Sequence, residues 1–409
     1  MQLSRYRRGV AIALSLGMLG AAVASRLEAD SAFSTTNTFF LEFGGPLRMM
    51  VVTPGANLKL DLGEHLTISG GWEADIVSGA SVAVVDAPAP TIDALTVASV
   101  YDFRNVGRGR IELRDGATTL RGGYTYGIEN DYRSHAFDVS ARTELFERNT
   151  AFELSYARGF DSVCDLAQPR AQEAVNRQRL PTSDGCFSSG ATDRDTRDVS
   201  LQTFQGSWSQ AWTRILATQL TFTTQIVDGF QSNPYRAVWL GRAAAQEHHP
   251  RLRVRYAVGL GTRLWVAPLR GALQLDLRGY RDTWDILSLT AELAYDWAPI
   301  DGLRVRVRGR YYKQTAAIFF SDDYGRLPAG SYFTGDRELS DMSSFTVGGR
   351  FAWSISPNDE GRVLGFLSSL DLVLKGDLMM FDFASFRYGQ FAVPNDRAIV
   401  ATLSLEAGF

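Results

Sequence analysis

Eight arginines stand at alternate positions in two segments of the chain. Arg251, Arg253, Arg255 and Arg263 are interleaved with Leu252, Val254, Tyr256 and Leu264. Arg304, Arg306, Arg308 and Arg310 are interleaved with Leu303, Val305, Val307 and Tyr311. A helix would scatter these guanidinium groups around its circumference, whereas a strand lines them up on one face. A row of arginines beside water concentrates anions along that wall. Asp276 and Arg278 alternate with leucines in the same way, and Asp138, Asp371 and Asp377 fall on polar faces of other alternating runs. Acids opposite the arginines would set up a transverse field, or pair with them and simply fill the space.

Other residues suggest other chemistry. Asp322, Asp323, Asp336 and Asp341 lie in one polar stretch and offer the oxygen ligands calcium takes, but no recognised calcium-loop spacing. His248 and His249 are adjacent, so on an extended chain they point apart and chelate poorly. His65 and His135 are isolated, and no Ser/His/Asp spacing marks a catalytic set. Catalytic residues are therefore not assigned, and the histidines read as surface groups. Cys164 and Cys186 are the only cysteines. In an oxidising compartment they predict a disulfide, with two free thiols or a metal pair as alternatives.

These side chains need elements to hold them. The chain has 409 residues, with 42 basic and 45 acidic side chains, so nothing marks a nucleic-acid partner. Arg5, Arg7 and Arg8 precede the apolar stretch Gly9 to Ala24, which ends in Ala22-Val23-Ala24. That is the pattern of an export signal over 1–24, the other reading being an uncleaved anchor helix. No later run is apolar enough for a spanning helix. Period-2 alternation instead recurs along 25–409, as in Leu58, Leu60 and Leu62 against Asn57, Lys59 and Asp61.

A soluble sandwich also alternates. Here, however, the runs reach the roughly 9–11 residues of a tilted membrane strand, and the charges fall on what must be the inner face. The pattern predicts an all-β, transmembrane antiparallel β-barrel of about 16 strands, within 14 to 18. The spans are 36–43, 50–62, 65–75, 106–113, 118–126, 134–145, 150–160, 199–208, 212–226, 251–265, 270–283, 286–297, 301–316, 342–355, 362–379 and 397–409. Short connections at Gly63-Glu64, Phe146 to Asn149, around Ser209, Ala267 to Leu269, Ala298 to Ile300 and Ser356 to Gly361 face the periplasm. Long outer loops occupy 76–105, 161–198, 227–250, 317–341 and 380–396, with a short helix expected over Asp165 to Gln178 and no internal plug. Trp208, Trp212, Trp265, Trp284 and Tyr311 fall near strand ends, where aromatic girdles form.

Several short motifs carry a family resemblance. They are Thr53-Pro54, Asp75 to Ser81, Tyr126 to Tyr132 with Glu129 and Asp131, Asn233-Pro234-Tyr235, Tyr311 to Gln314 and Leu339-Ser340. In these the chain resembles a widespread group of proteobacterial outer-membrane proteins of unassigned function. The segment Cys164 to Thr196 departs from that pattern. The alternating last strand ending in Phe409 resembles the signal read by the bacterial barrel-assembly machinery. The resemblance implies a Gram-negative outer membrane with its lipopolysaccharide, and no substrate.

Three functions remain open on the sequence. The first is a porin-like channel for small polar or ionic solutes. The second is a barrel holding a lipoprotein or redox partner, and the third is an outer-membrane enzyme. No cofactor is expected, with calcium at the outer loop as the open alternative.

Overall fold

The computed structural model describes residues 31–43, 49–80, 85–86, 99–164, 186–187, 196–233, 237–240, 244–324, 329–355, 363, 365, 367–383, 386–388, 391–392 and 395–409. The strands in chain order are β1 (Ala32–Phe43), β2 (Met49–Leu62), β3 (Leu66–Ala80), β4 (Val85–Asp86), β5 (Ser99–Asp115), β6 (Thr118–Ile128) and β7 (Tyr132–Leu145). Next are β8 (Thr150–Cys164), β9 (Thr196–Ala211), β10 (Leu216–Gly229), β11 (Ala237–Trp239), β12 (Ala244–Gln246), β13 (Leu252–Val266) and β14 (Gly271–Asp282). The last are β15 (Leu287–Trp297), β16 (Leu303–Gln314), β17 (Met342–Ile355), β18 (Ser369–Asp382), β19 (Arg387–Tyr388), β20 (Phe391–Ala392) and β21 (Asn395–Gly408).

Sixteen of these close into one antiparallel barrel, each paired with its neighbours in the chain order β1-β2-β3-β5-β6-β7-β8-β9-β10-β13-β14-β15-β16-β17-β18-β21. Closure joins β1 to β21, from Ala32 opposite Gly408 to Phe43 opposite Arg397. The five short strands form small sheets between barrel strands. A sheet left open in lipid would expose two edges of unpaired backbone, and closure removes both.

Alternation assigns the two faces. The outer face is apolar and open: Leu154 is 70% exposed, Val307 57% and Val139 56%. Transferring a large apolar side chain out of water is worth roughly 1.5–3 kcal/mol. An outer wall of them fits lipid, not water. No helix of the described residues is long and apolar enough to cross a membrane. This architecture is consistent with an outer membrane.

Each strand expected from alternation has a counterpart, but several bounds move. β1 starts at Ala32 and β5 spans Ser99–Asp115, because polar residues on the inner face continue the pairing where apolar alternation fades. The turn expected around Ser209 is corrected: Ser209 pairs with Ala151 and Gln219 inside the sheet. The reversal comes at 212–215, where the Thr213 hydroxyl accepts from the Ile215 and Leu216 amides. β18 begins at Ser369, not 362, because Val363 and Leu367 form a small bridge of their own. At 301–302 the chain needs glycine: Gly302 has φ 77°, and a Cβ there would lie 2.6 Å from the Ser354 carbonyl oxygen. The expected signal segment and the helix over Asp165 to Gln178 lie outside the described residues.

Cys164 and Cys186 form a disulfide, with Cα atoms 5.5 Å apart. It pins Phe187, whose amide donates to the Asn130 carbonyl, onto the end of the β7–β8 hairpin. Replacing both cysteines with serine is expected to lower the unfolding free energy by roughly 2–4 kcal/mol. Urea unfolding of the wild type with and without reductant, beside the double variant, measures this. Coincident curves would show that the bond adds no stability.

Candidate functional site

Register carries one polar face round the inner wall. Gln225 lies opposite Arg255, Arg255 opposite Asp282, and Asp276 opposite Glu292. Side chains directly opposite on neighbouring strands are close enough to pair. Those two strands apart approach most closely where the position between them carries no side chain.

Glycine supplies that gap. Arg308, Gly348 and Asp377 stand side by side on β16, β17 and β18. The Arg308 guanidinium crosses the glycine and donates to Asp377 Oδ1 at 2.8 Å and 2.9 Å. A Cβ on Gly348 would come within 1.8 Å of that oxygen. Arg308 also donates to Glu292 at 3.1 Å, and Lys375 lies 3.4 Å from the second Asp377 oxygen. Arg110, Gly123 and Asp138 repeat the arrangement on β5, β6 and β7, with an ion pair at 3.5 Å. Elsewhere the pairs are direct: Arg306 grips both oxygens of Asp296 at 2.7 Å. Glu112 is shared by Arg114 and Arg121, each at 2.6 Å.

A second device lies in the connection from β16 to β17, which folds into the barrel. Gln314 donates to the carbonyls of Glu338 and Ser340 at 2.8 Å. Leu339 packs with Trp284, Ile286 and Ala317. Arg337 then reaches past β18, pairing with Glu42 on β1 and with Asp396 on β21 at 2.8 Å. Its guanidinium also lies 5.3 Å from the Phe383 ring centre. Burial pulls the Arg337 pKa down, but the two carboxylates outweigh it, and the net shift is upward. Segment 336–339 thus lies inside the mouth, against the β14-to-β1 arc, at the end of the barrel away from the chain termini. The sequence reading of 317–341 as an outer loop does not include this inward turn. Nothing local in 317–341 revealed the inward fold, because Arg337 meets Glu42 across 295 positions.

Below this segment is a cavity of about 690 Å³. One wall carries Arg253, Arg255, Arg278 and Arg310, while Asp336 and Glu338 line it from the loop. Arg253 is occupied, donating to Asp282 at 2.8 Å and stacking 4.0 Å from the Trp284 ring centre. Arg255 donates to Gln225 at 2.7 Å. No ion pair is formed by Arg278 or Arg310 within the described residues. Asp282 is the organising acid. Its other oxygen accepts from the Trp284 and Ile286 amides at 3.0 Å, fixing the turn at 283–286.

The other expected residues are distributed as follows. Arg263 and Arg304 face inward nearer the terminal mouth, as does Asp371, which lies opposite Glu406. Asp276 accepts from Gln274. Arg251 is not on the wall: it precedes β13 at an exposed bend, and its carbonyl accepts from Gln231 at 2.6 Å. His249 is corrected from a surface group to a buried one, 6% exposed, against Trp284 and Phe319. His248 points the other way and meets the Ser331 carbonyl at 2.7 Å. Asp336 caps its own turn, accepting from the Glu338 amide at 3.0 Å. Asp322, Asp323 and Asp341 converge with it on no group of three or more ligands suited to a metal among the described residues. Phe409 is buried with Leu367 and Phe33, and its amide donates to the Ser31 carbonyl. Residues missed on the sequence include Asp282, Asp296, Glu292, Glu42, Asp396 and Arg337. The first three fall on inward faces by simple alternation, so their facing was legible even though their partners were not.

A family model described as "Protein of unknown function (DUF3570)" matches residues 10–363. The chain belongs to this family. As a DUF3570 chain it inherits a family but no assigned chemistry. No match is found among curated proteins. Solved structures similar to this DUF3570 chain include a bacterial polysaccharide outer membrane secretin, with 9% identity and a TM-score of 0.48, covering 94% of this chain and 99% of that one. Another is a BenF-like porin from Pseudomonas fluorescens Pf-5, with 10% identity and a TM-score of 0.45, covering 94% and 100%. A third is OccK2 (OpdF) from Pseudomonas aeruginosa in complex with glucuronate, with 9% identity and a TM-score of 0.42, covering 93% and 98%. Similarities this low carry no information on solute or activity.

Proposed function

We propose that this barrel is an outer-membrane channel for small polar and ionic solutes, with a preference for anions set by the arginine wall beneath the inward loop. In this reading the end bearing the termini and the short turns faces the periplasm, and the mouth that 336–339 enters faces outward. The observation that carries it is the cavity lined by Arg278 and Arg310, two exposed guanidinium groups without a carboxylate partner among the described residues. Asp336 and Glu338 face them from the loop. A solute passing between acidic and basic sides would be oriented by the transverse field, and an anion would gain most from the unpaired arginines.

Planar-bilayer recording with a salt gradient tests this. The wild type is expected to conduct, with a reversal potential displaced toward anion selectivity. Arg278→Gln with Arg310→Gln is expected to remove most of that displacement, with a smaller effect on conductance. Absence of current, or a cation preference in the wild type, would overturn the reading.

A further inference from the structure

On β7, β8 and β9 the apolar pattern of the lipid-facing wall gives way to polar and charged side chains, whereas elsewhere near the same rim basic residues such as Arg281, Lys313 and Arg397 face outward singly. On the outer faces of β7, β8 and β9, register builds three rows. At the rim are Arg133, Ser162 and Asp198; next come His135, Phe160 and Ser200; then Phe137, Arg158 and Gln202. Below them the wall is Val139, Tyr156 and Phe204. Two guanidinium groups thus mark the border of the apolar belt, on the side that faces lipid.

Both are held in place but lack an anion. Arg133 lies 4.4 Å from the Phe187 ring centre, and Arg158 lies 5.0 Å from that of Phe160. The Nε of each is buried and without a hydrogen-bond partner. Neither forms an ion pair within the described residues. The nearby Asp198 carboxylate accepts from Ser162 at 3.1 Å. An arginine left without an anion on a lipid face is unfavourable, and in membranes such groups mark binding sites.

We propose that this patch binds a phosphorylated glycolipid of the outer leaflet, with one phosphate at Arg133 and another at Arg158. The site rests on the outward orientation given above, but not on conduction. Arg133 and Arg158 stand four residues apart along the hairpin, about 13 Å at the strand rise. A disaccharide phosphorylated at both ends spans a comparable length. His135, Ser200 and Gln202 lie between or beside the arginines and supply hydrogen-bonding groups for sugar hydroxyls. The guanidinium fork suits a phosphate oxygen pair. The disulfide has a part in this, because it seats Phe187 against Arg133.

The test uses the full-length barrel in lipid nanodiscs with lipid A as the probe, bound lipid being counted by native mass spectrometry. Bisphosphorylated lipid A is expected to bind the wild type about tenfold or more tightly than it binds Arg133→Gln/Arg158→Gln. Dephosphorylated lipid A should bind both proteins alike and weakly. Phosphatidylglycerol should not distinguish them. Heat-shifted gel mobility confirms that the variant barrel is closed, and Arg133→Lys/Arg158→Lys, which keeps the charge, should retain intermediate binding. Equal lipid A binding by wild type and Gln variant would overturn the proposal. So would equal preference for phosphatidylglycerol, or a wild-type oligomer that the Gln variant loses without any bound lipid. An epitope inserted after Phe187 and probed on intact cells reports the orientation separately.

Discussion

Replacing Arg337 with alanine is expected to free segment 336–339 from the barrel mouth and widen the channel. The wild-type side chain satisfies Glu42 and Asp396 together, and both carboxylates are largely buried. Removing the guanidinium leaves two acids facing each other with no counter-charge. Breaking a buried pair costs roughly 3 kcal/mol or more, which would shift the loop's inward-to-released equilibrium by about a hundredfold. The base of the loop should stay anchored, because Ile318 donates to the Trp284 carbonyl and Thr334 to Glu247, independently of Arg337. The predicted change is therefore confined to segment 336–339. Bilayer recordings should show a larger and noisier single-channel current. A cysteine placed at Glu338 should react faster with a polar thiol reagent in the Arg337→Ala background. Arg337→Lys keeps a charge but loses the two-sided fork, and should fall between. An unchanged current together with unchanged labelling would mean that 336–339 is held by its backbone contacts alone.

The two halves of this site differ in how far the sequence revealed them. Strand identity was legible because Leu252, Val254, Leu303 and Val305 meet lipid while their neighbours meet the lumen, a pattern that any two-residue period exposes. The inward facing of Arg253, Arg278 and Arg310 follows from the same period. Pairing was not legible, because it depends on register between strands. Arg308 and Asp377 are 69 positions apart, and only the alignment of β16, β17 and β18 puts Gly348 between them. The glycine offers no chemistry in the sequence, yet its missing side chain is what lets the flanking charges touch. Segment 336–339 has neither signal. It carries no alternation, and Arg337 finds its acids on strands at the two ends of the chain. Such a contact follows only from closure, since β1 and β21 become neighbours when the barrel shuts.

The same geometry predicts that Arg308 is an inner-wall arginine on which the barrel depends. Arg308→Ala should destabilise the barrel by roughly 3–5 kcal/mol, because Asp377 and Glu292 both lose their main counter-charge. Asp377 is 6% exposed, so water cannot fully replace the guanidinium. Lys375, at 3.4 Å, can compensate one oxygen only in part. Arg304→Ala is the contrast: it is exposed, forms no ion pair among the described residues, and should change stability by no more than about 0.5 kcal/mol. Gly348→Ala should act like a milder Arg308→Ala, since its methyl group displaces the Asp377 carboxylate without removing the arginine. Urea unfolding in lipid vesicles gives all three midpoints. The double variant Arg308→Ala/Asp377→Ala should recover part of the loss, because the stranded acid is gone. If it were instead as unstable as the sum of its single variants, the two side chains would be acting independently, and the pairing across Gly348 would have no energetic role.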